Sequence, residues 1–268
     1  MLVDFHSHTL ESDGSLEPEA LALAMSSRGV GTFSVTDHDS LAAYPRVVEA
    51  AAGTVVTGIE INSTYRGSEV HVLGYGMRLD DPSLGAMIER NRHARGERVA
   101  KMVAQLNRVG IDLTIDDVRA EAAAGAPLGR PHVAKALVRN AYAASVEAAF
   151  RGLLARDRAG YVPSIHVRPQ DAIAAIAGAG GIPVLAHPGR LRDYDLIDEL
   201  ADEGLVGLEV FYPAHGPGQV QHFRERARNL GLVMTAGSDF HDARYGAGVV
   251  GVEVDPDDIA PFLELVAG

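Results

Sequence analysis

Several side chains that commonly bind metal ions stand close together at the start of the chain, in the stretch LVDFHSHTLESDGS (residues 2–15). Successive side chains of a β-strand point to opposite faces, so Asp4, His6 and His8 are predicted to share one face. Burying two imidazoles and a carboxylate together is costly unless a cation compensates them. Asp13 follows within reach. The stretch alone therefore predicts a metal site, with a pair of surface histidines as the alternative.

The same residue types recur where other predicted strands end. Parallel strands of an α/β barrel or open sheet present their carboxyl ends at one rim, and active sites are built there. Six strands are predicted to bring imidazoles or carboxylates to this rim. The residues concerned are His6, His8, Asp13, His38, Glu60, His71, His187, Asp239 and His241.

Six histidines and three carboxylates exceed the ligands of one tetrahedral zinc ion, and they suit two or three ions, some bridged by a carboxylate. Cysteine is absent, so any metal must be held by histidine and carboxylate. A hydroxide between such ions, formed from water whose pKa falls from about 15.7 towards 7, can attack a phosphorus atom in line. The ligand set therefore predicts phosphoester hydrolysis.

The elements that would position these residues alternate along most of the chain. Short β-rich runs are separated by helical stretches such as Pro18–Ser27 and Pro169–Ala179, a pattern typical of a mostly parallel sheet, open or closed into a barrel. The strand signals stop between about 83 and 160, where four helical runs follow one another. The pattern predicts an α/β fold interrupted by a helical insertion.

Composition excludes several classes of protein. Of the 268 residues 47% are hydrophobic, which supports a large core, and no apolar run reaches the roughly 20 residues needed to span a bilayer. The N-terminus lacks the build of a secretory signal, so a cytoplasmic protein is expected. The net charge of −12 argues against a surface for duplex nucleic acid, yet bound cations can make a local site positive.

The ordered motifs DFHSHT, SDG, TDHDS, GIEI, HVLGY, AHPGR and GSDFH resemble those of the PHP (polymerase and histidinol phosphatase) family over almost the whole chain. The resemblance implies a distorted (β/α)7 TIM-like barrel with a trinuclear metal centre. By position, one ion would be held by His6, His8, Glu60 and Asp239, and Glu60 would bridge to a second ion at His71 and His187. Asp13, His38 and His241 would hold the third. Other branches often have His in place of Asp13. Two to three divalent ions are expected, Mn²⁺ first, with Zn²⁺, Fe²⁺ or Mg²⁺ as alternatives.

The insertion carries a resemblance of its own. GAPLGRPHVAKAL and AGYVP resemble the subgroup that removes phosphate from nucleotides, including nucleoside 3′,5′-bisphosphates, or trims the 5′ ends of short RNA. Arg130 is suited to a bidentate grip on phosphate, and His132 could donate to it; an exposed helix start is the alternative. His215 lies on the predicted rim as a candidate catalytic or substrate-contacting residue, with a plain loop histidine as the alternative. We expect a barrel over 1–97 and 161–268 and a substrate-binding helical domain over 98–160.

For the remaining polar residues the sequence leaves a structural role open or favours it. Asp4, Asp37 and Glu209 could orient ligands or be structural. Arg92, Arg95 and Arg98 recur at three-residue spacing, and we interpret them as a solvated stripe rather than a face towards the site. Sequence context assigns no site role to His93, His166 and His222.

The predicted function is a metal-dependent phosphatase of small nucleotides, with a nucleoside 3′,5′-bisphosphate as the favoured substrate and a monomer as the default. A 5′-to-3′ exonuclease on short single-stranded RNA or DNA is the first alternative. The acidic net charge favours the small substrate over it, because a long strand would be bound along a basic track. A histidinol phosphatase fits the GRPH insertion less well. A catalytically inactive structural barrel is disfavoured by the complete ligand set.

Overall fold

A computed structural model describes residues 1–244 and 248–267. Its strands are β1 (Leu2–Asp4), β2 (Thr32–Val35), β3 (Thr54–Tyr65), β4 (Ser68–Tyr75), β5 (Ile182–Leu185), β6 (Gly207–Phe211), β7 (Val233–Ala236) and β8 (Val252–Glu253). Its α-helices are α1 (Pro18–Arg28), α2 (Tyr44–Ala50), α3 (Pro82–Arg108), α4 (Ile115–Arg119), α5 (Arg130–Arg139), α6 (Val146–Arg151), α7 (Pro169–Gly178), α8 (Asp195–Asp202), α9 (Pro217–Leu230) and α10 (Pro256–Ala267). None of the helices in these two ranges is long and apolar enough to cross a membrane.

The strands form one curved sheet in the order β7-β6-β5-β4-β3-β2-β1-β8. The β1 end of the sheet lies against the β7 end. Two hydrogen bonds join them: the amide of Phe5 donates to the carbonyl of Ala236 at 2.8 Å, and the amide of His8 donates to the carbonyl of Phe240 at 2.9 Å. The result is a nearly closed α/β barrel. The predicted sevenfold repeat is incomplete as a description, since an eighth strand, β8, pairs antiparallel with β1.

Strand β4 departs from the expected direction. Arg66 and Gly67 both have left-handed backbones (φ 47° and 74°), and this two-residue turn joins β3 to an antiparallel β4. Such turns match the twist of neighbouring strands and reverse the chain at once. The expectation that every ligand follows the end of a parallel strand is therefore wrong for His71. This residue lies inside β4 and pairs with Asn62 of β3.

In the described part of the chain the hydrophobic core falls into three clusters, of which two bear on the site. The larger lines the barrel, and its members include Leu84, Met87 and Ile88 from the first half of α3. A separate cluster joins the second half of α3 to α4, α5 and α6, with Met102, Val118, Leu137 and Ala149 among its members. Helix α3 thus runs without interruption from the barrel core into the helical segment, across the domain boundary predicted at 97/98.

Candidate metal centre

The candidate ligands meet at the rim where β1 and β7 approach each other. His6 and His8 follow β1, and both are fully buried. The His6 carbonyl accepts a 2.8 Å hydrogen bond from the amide of Asp239, whose backbone is left-handed (φ 53°). A non-glycine residue in this conformation costs about 1–3 kcal/mol and is held by its surroundings. The seam of the barrel therefore fixes these three side chains against one another.

Glu60 lies at the centre of the cluster. Its Oε2 is 3.2 Å from Nε2 of both His6 and His8 and 3.1 Å from Nδ1 of His38. Its Oε1 is 2.8 Å from Nδ1 of His71 and 3.2 Å from Nε2 of His187. One carboxylate thus faces five imidazoles, as a bridging ligand would.

The atoms fall into three overlapping groups, each within 4.8 Å and each large enough to hold an ion. The groups are His6, His8, Glu60 and Asp239; His38, Glu60 and His71; and His8, Asp13, His38 and His241. His187 is not a member of the second group, but its Nε2 lies 3.2 Å from Oε1 of Glu60, which is. Compared with the ligand sets implied by the family, the geometry adds His8 to the Asp13 group and brings His38 beside Glu60. The structure brings all nine candidates together.

The donor atoms fit a metal ion. Within the described residues, five buried atoms of this cluster form no hydrogen bond: His6 Nε2, His8 Nδ1 and Nε2, His38 Nδ1, and Glu60 Oε2. Buried polar atoms normally have a partner, and leaving each one unpaired costs about 1–3 kcal/mol. Nitrogen and carboxylate oxygen donors are ligands of divalent transition metals. The cluster is therefore chemically incomplete without cations.

The pKa values of the cluster follow from this crowding. Burial opposes charge on Glu60 and Asp239, yet the surrounding histidines hold the pKa of both carboxyl groups well below the usual range. Burial alone would lower the pKa of His8, but Asp239 and Glu60 raise it to about 10. In contrast, burial and the nearby Arg190 lower the pKa of His187 to about 4. Without metal, protons on some imidazoles balance the carboxylates.

Three further carboxylates hold the ligands in place. Glu209 contacts Nδ1 of His6 at 2.9 Å and accepts from the backbone amide of His187 at 2.7 Å. Asp37 accepts from the amide of Thr9 at 2.8 Å, in the loop that carries Asp13. Asp4 accepts from the amide of Ser238, next to Asp239, at 2.9 Å. Glu209 thus orients one candidate ligand directly, whereas Asp4 and Asp37 fix the backbone beside others.

A cavity of about 620 Å³ opens above the cluster. Its wall includes the cations Arg95, Arg98, Arg130 and Arg190 and the apolar side chains Pro131, Val146, Phe150, Pro213 and Ala214. The interpretation of Arg95 and Arg98 as a solvated stripe is wrong. Their side chains are only 8% and 12% exposed, because Arg95 pairs with Asp39 at 2.8 Å and Arg98 with Glu69 at 2.7 Å.

Sequence reasoning missed Arg190, although the motif AHPGR contains it. Its guanidinium lies 2.9 Å from Asp239 Oδ2 and 5.3 Å above the ring of Tyr212. Its position three residues after His187 is a usable signal. A short 3₁₀ turn over Pro188–Arg190 keeps Arg190 at the same end of the barrel as His187.

Two histidines with predicted substrate roles lie behind the cavity wall. His132 is 1% exposed, and its Nδ1 accepts a hydrogen bond from the amide of Gly129 at 3.0 Å. His215 lies 2.9 Å from the carbonyl of Val210 through Nδ1 and accepts from the amide of Gly189 at 3.1 Å through Nε2. Neither ring lines the cavity. Both hold backbone segments that do.

Comparison with known proteins gives a consistent picture. The chain is 31% identical over 271 residues to a 3′,5′-nucleoside bisphosphate phosphatase from Chromobacterium violaceum, covering 97% of this chain and 93% of that one. The chain belongs to the PHP family of metal-dependent phosphoesterases. The 5′-3′ exoribonuclease Rnm of Escherichia coli is 31% identical over 251 residues, covering 90% of this chain and 85% of that one.

A solved structure agrees with this PHP-family assignment. A putative metal-dependent phosphoesterase from Bifidobacterium adolescentis superimposes with a TM-score of 0.88 at 30% identity, covering 98% of this chain and 95% of that one. No family model matches the chain. The protein is thus a metal-dependent phosphoesterase, and its relatives carry both phosphatase and exoribonuclease names.

Proposed function

We propose that this PHP phosphoesterase is a phosphatase of small nucleotides whose favoured substrate is a nucleoside 3′,5′-bisphosphate. The observation that carries the proposal is that six of the nine candidate metal ligands and several arginines line the same cavity of about 620 Å³. Cavities of roughly 300–1,000 Å³ are typical of small-molecule sites. The bisphosphate phosphatase relative, aligned over nearly the full length of both chains, supports the same substrate.

The three ligand groups described above would hold two or three divalent ions, with Mn²⁺ the first candidate. Such ions, when bound, acidify water and neutralise charge on phosphoryl oxygens. The chain's own residues orient the ligands: Glu209 fixes the ring of His6, and His215 fixes the turn that carries Arg190. We therefore propose His215 as a positioning residue rather than a group that contacts substrate.

A bisphosphate presents two anionic groups, and the cavity offers two cationic places. The first is the metal cluster with Arg190 at its edge. The second is Arg130, whose guanidinium lies 5.1 Å above the ring of Phe150 and whose buried Nε has no hydrogen-bond partner among the described residues. Arginine donors of this kind suit a phosphate. We propose that Arg130 binds the phosphate that is not cleaved.

The helical segment would then act as a substrate-binding domain, with boundaries near 98 and 160. It supplies Arg130 and the apolar wall of Val146 and Phe150, against which a nucleobase can pack. His132 contributes indirectly, because its ring holds the amide of Gly129 immediately before Arg130.

The test is phosphate release from adenosine 3′,5′-bisphosphate, AMP, an aryl phosphate and oligonucleotides of two to five residues, each with Mn²⁺, Mg²⁺ or Zn²⁺. The proposal expects the highest kcat/KM on the bisphosphate. A preference for oligonucleotides would replace it with the exonuclease.

One observation favours that second candidate. Another cavity of about 520 Å³ shares Glu69, His71, Arg98, Arg130 and Arg190 with the first and extends to Arg66, Arg156 and Arg192. An oligonucleotide could place further phosphates along this arginine-rich extension, as the exoribonuclease relative suggests.

A further inference from the structure

We propose that Arg95 is a positioning residue for the ligand group His38–Glu60–His71 and ties this group to the start of α5. The inference rests on the function proposed above, in which these three residues are metal ligands. Arg95 lies on α3, is buried, and belongs to a polar network between the barrel and the helical segment.

The first link of this network leads to His71. Arg95 donates to Oδ1 of Asn62, and Nδ2 of Asn62 lies 3.1 Å from Nε2 of His71. A guanidinium carries only donors, so it takes the amide oxygen and leaves the amide nitrogen facing the imidazole. The other ring nitrogen of His71 lies 2.8 Å from Glu60. In the metal-free protein Nε2 therefore accepts from the amide and Nδ1 carries the ring proton towards Glu60. Arg95 fixes the amide against which the His71 ring lies, and an ion at Nδ1 would require that proton to leave.

The second link leads to His38 and Glu60. Nε of Arg95 donates to Oδ2 of Asp39 at 2.8 Å, and Asn91 donates to Oδ1 of the same carboxylate at 2.8 Å. Asp39 directly follows His38, has a left-handed backbone (φ 48°), and donates its amide to the carbonyl of Glu60 at 2.9 Å. A strained residue persists only where its surroundings hold it. Arg95 and Asn91 hold this one.

The third link leads out of the barrel. A Cβ atom placed on Gly129 would lie 3.1 Å from Nη1 of Arg95, so the guanidinium packs directly beneath this glycine. Gly129 precedes α5, whose first residue is Arg130. One side chain therefore touches the supports of a metal-ligand group and the start of the helix that carries the proposed phosphate-binding arginine.

The test is Mn²⁺ binding to metal-depleted protein, measured from the electron paramagnetic resonance signal of free Mn²⁺, together with KM for the bisphosphate. Residues that orient metal ligands typically contribute 10- to 100-fold in affinity. Arg95→Met should weaken Mn²⁺ binding by about that factor and raise KM. Arg92→Met is the matched control, because Arg92 lies one turn earlier and its partners among the described residues, the Gly125 carbonyl and Glu89, lie outside the network.

Arg95→Met leaves Asp39 buried without its cation, so that variant can fail to fold. Arg95→Lys keeps the charge beside Asp39 and loses the arm to Asn62, so it should fold and still bind Mn²⁺ more weakly than wild type. Wild-type Mn²⁺ affinity in Arg95→Lys overturns the inference, and a raised KM at unchanged affinity does so too, since it makes Arg95 a substrate contact. Failure of the proposed ligand set is distinguished by Glu60→Gln, which would then bind Mn²⁺ as the wild type does.

Discussion

The guanidinium of Arg190 lies 2.9 Å from Oδ2 of Asp239, so a half-exposed cation borders a candidate metal ligand in the wall of the cavity. The Arg190 side chain is 56% exposed, whereas that of Asp239 is 6% exposed. Because about half of the Arg190 side chain is exposed, its guanidinium can turn towards an incoming phosphate and stay within electrostatic reach of the buried Asp239 carboxylate.

We expect Arg190→Met to lower kcat/KM on every phosphomonoester. A charge-assisted hydrogen bond contributes about 1.5–3 kcal/mol, which corresponds to about 10- to 150-fold. Steady-state assays on the bisphosphate and on an aryl phosphate measure the effect. Arg168→Met, which removes an exposed arginine paired with Asp171 outside the cavity, is the control. Unchanged activity in Arg190→Met would remove this residue from the phosphate site.

Metal content follows from the nine-residue cluster. Protein reconstituted with excess Mn²⁺ should contain two to three ions per chain by elemental analysis, and a chelator should abolish activity. Glu60→Gln and Asp239→Asn should each remove most metal and activity while the fold persists, because each loses a negative charge between cations. Glu203→Gln changes an exposed carboxylate at the end of α8 and serves as control. At most one ion in the wild-type protein contradicts the trinuclear centre.

Arg130→Ala should separate the two phosphates of the substrate. Loss of one charge-assisted contact should lower kcat/KM on the 3′,5′-bisphosphate about 10- to 150-fold and affect an aryl phosphate much less, with metal content unchanged. Arg151→Ala, an exposed arginine paired with Glu147 in the same helical segment, is the control. Equal losses on both substrates would place Arg130 at the reacting phosphate instead, and no loss on either would leave it as a structural helix start.

His132 gives the protein an acid-sensitive contact in the helical segment, within electrostatic reach of the candidate ligand Asp13. Burial lowers the pKa of His132 to about 4, below the value of about 6.5 for an unfolded histidine. Protonation therefore favours the unfolded state, and the stability contributed by the neutral ring is complete above pH 6.5 and is lost as pH falls towards 4. The difference of about 2.5 units corresponds to roughly 3 kcal/mol.

His132→Gln keeps an acceptor for the Gly129 amide and removes this titration. The free energy of unfolding of metal-depleted protein should therefore fall less steeply in the variant between pH 6.5 and 4, as measured by urea denaturation. His93→Gln, whose parent side chain is 78% exposed, should retain the wild-type slope. Parallel slopes in wild type and His132→Gln would show that the ring is not buried in its neutral form.

The candidate ligands could be found from the sequence because their placement follows local rules. Alternation in a strand puts His6 and His8 on one face, and parallel strands bring His38 and Asp239 to the same rim. The direction of β4 was also encoded, since Arg66–Gly67 is a two-residue turn between two strand signals.

The surroundings of the site could not be predicted from the sequence, because they depend on tertiary contacts. The three-residue spacing of Arg92, Arg95 and Arg98 describes one helix face but not what packs against it, and α3 serves two different cores. His132 and His215 could equally have faced substrate or backbone, because an imidazole can do either. Only the contacts with Gly129 and Gly189 distinguish the two.

The seam between β1 and β7 has a consequence for synthesis. The side chain of Asp4 accepts a hydrogen bond from Ser238, a residue 234 positions later, and the candidate ligands His6 and Asp239 lie within two residues of this pair. A ribosome makes the chain from its N-terminus, so His6 and His8 cannot contact Asp239 and His241 until most of the barrel has been translated. We therefore expect the chain to acquire its full complement of metal only after the last barrel strand has emerged from the ribosome.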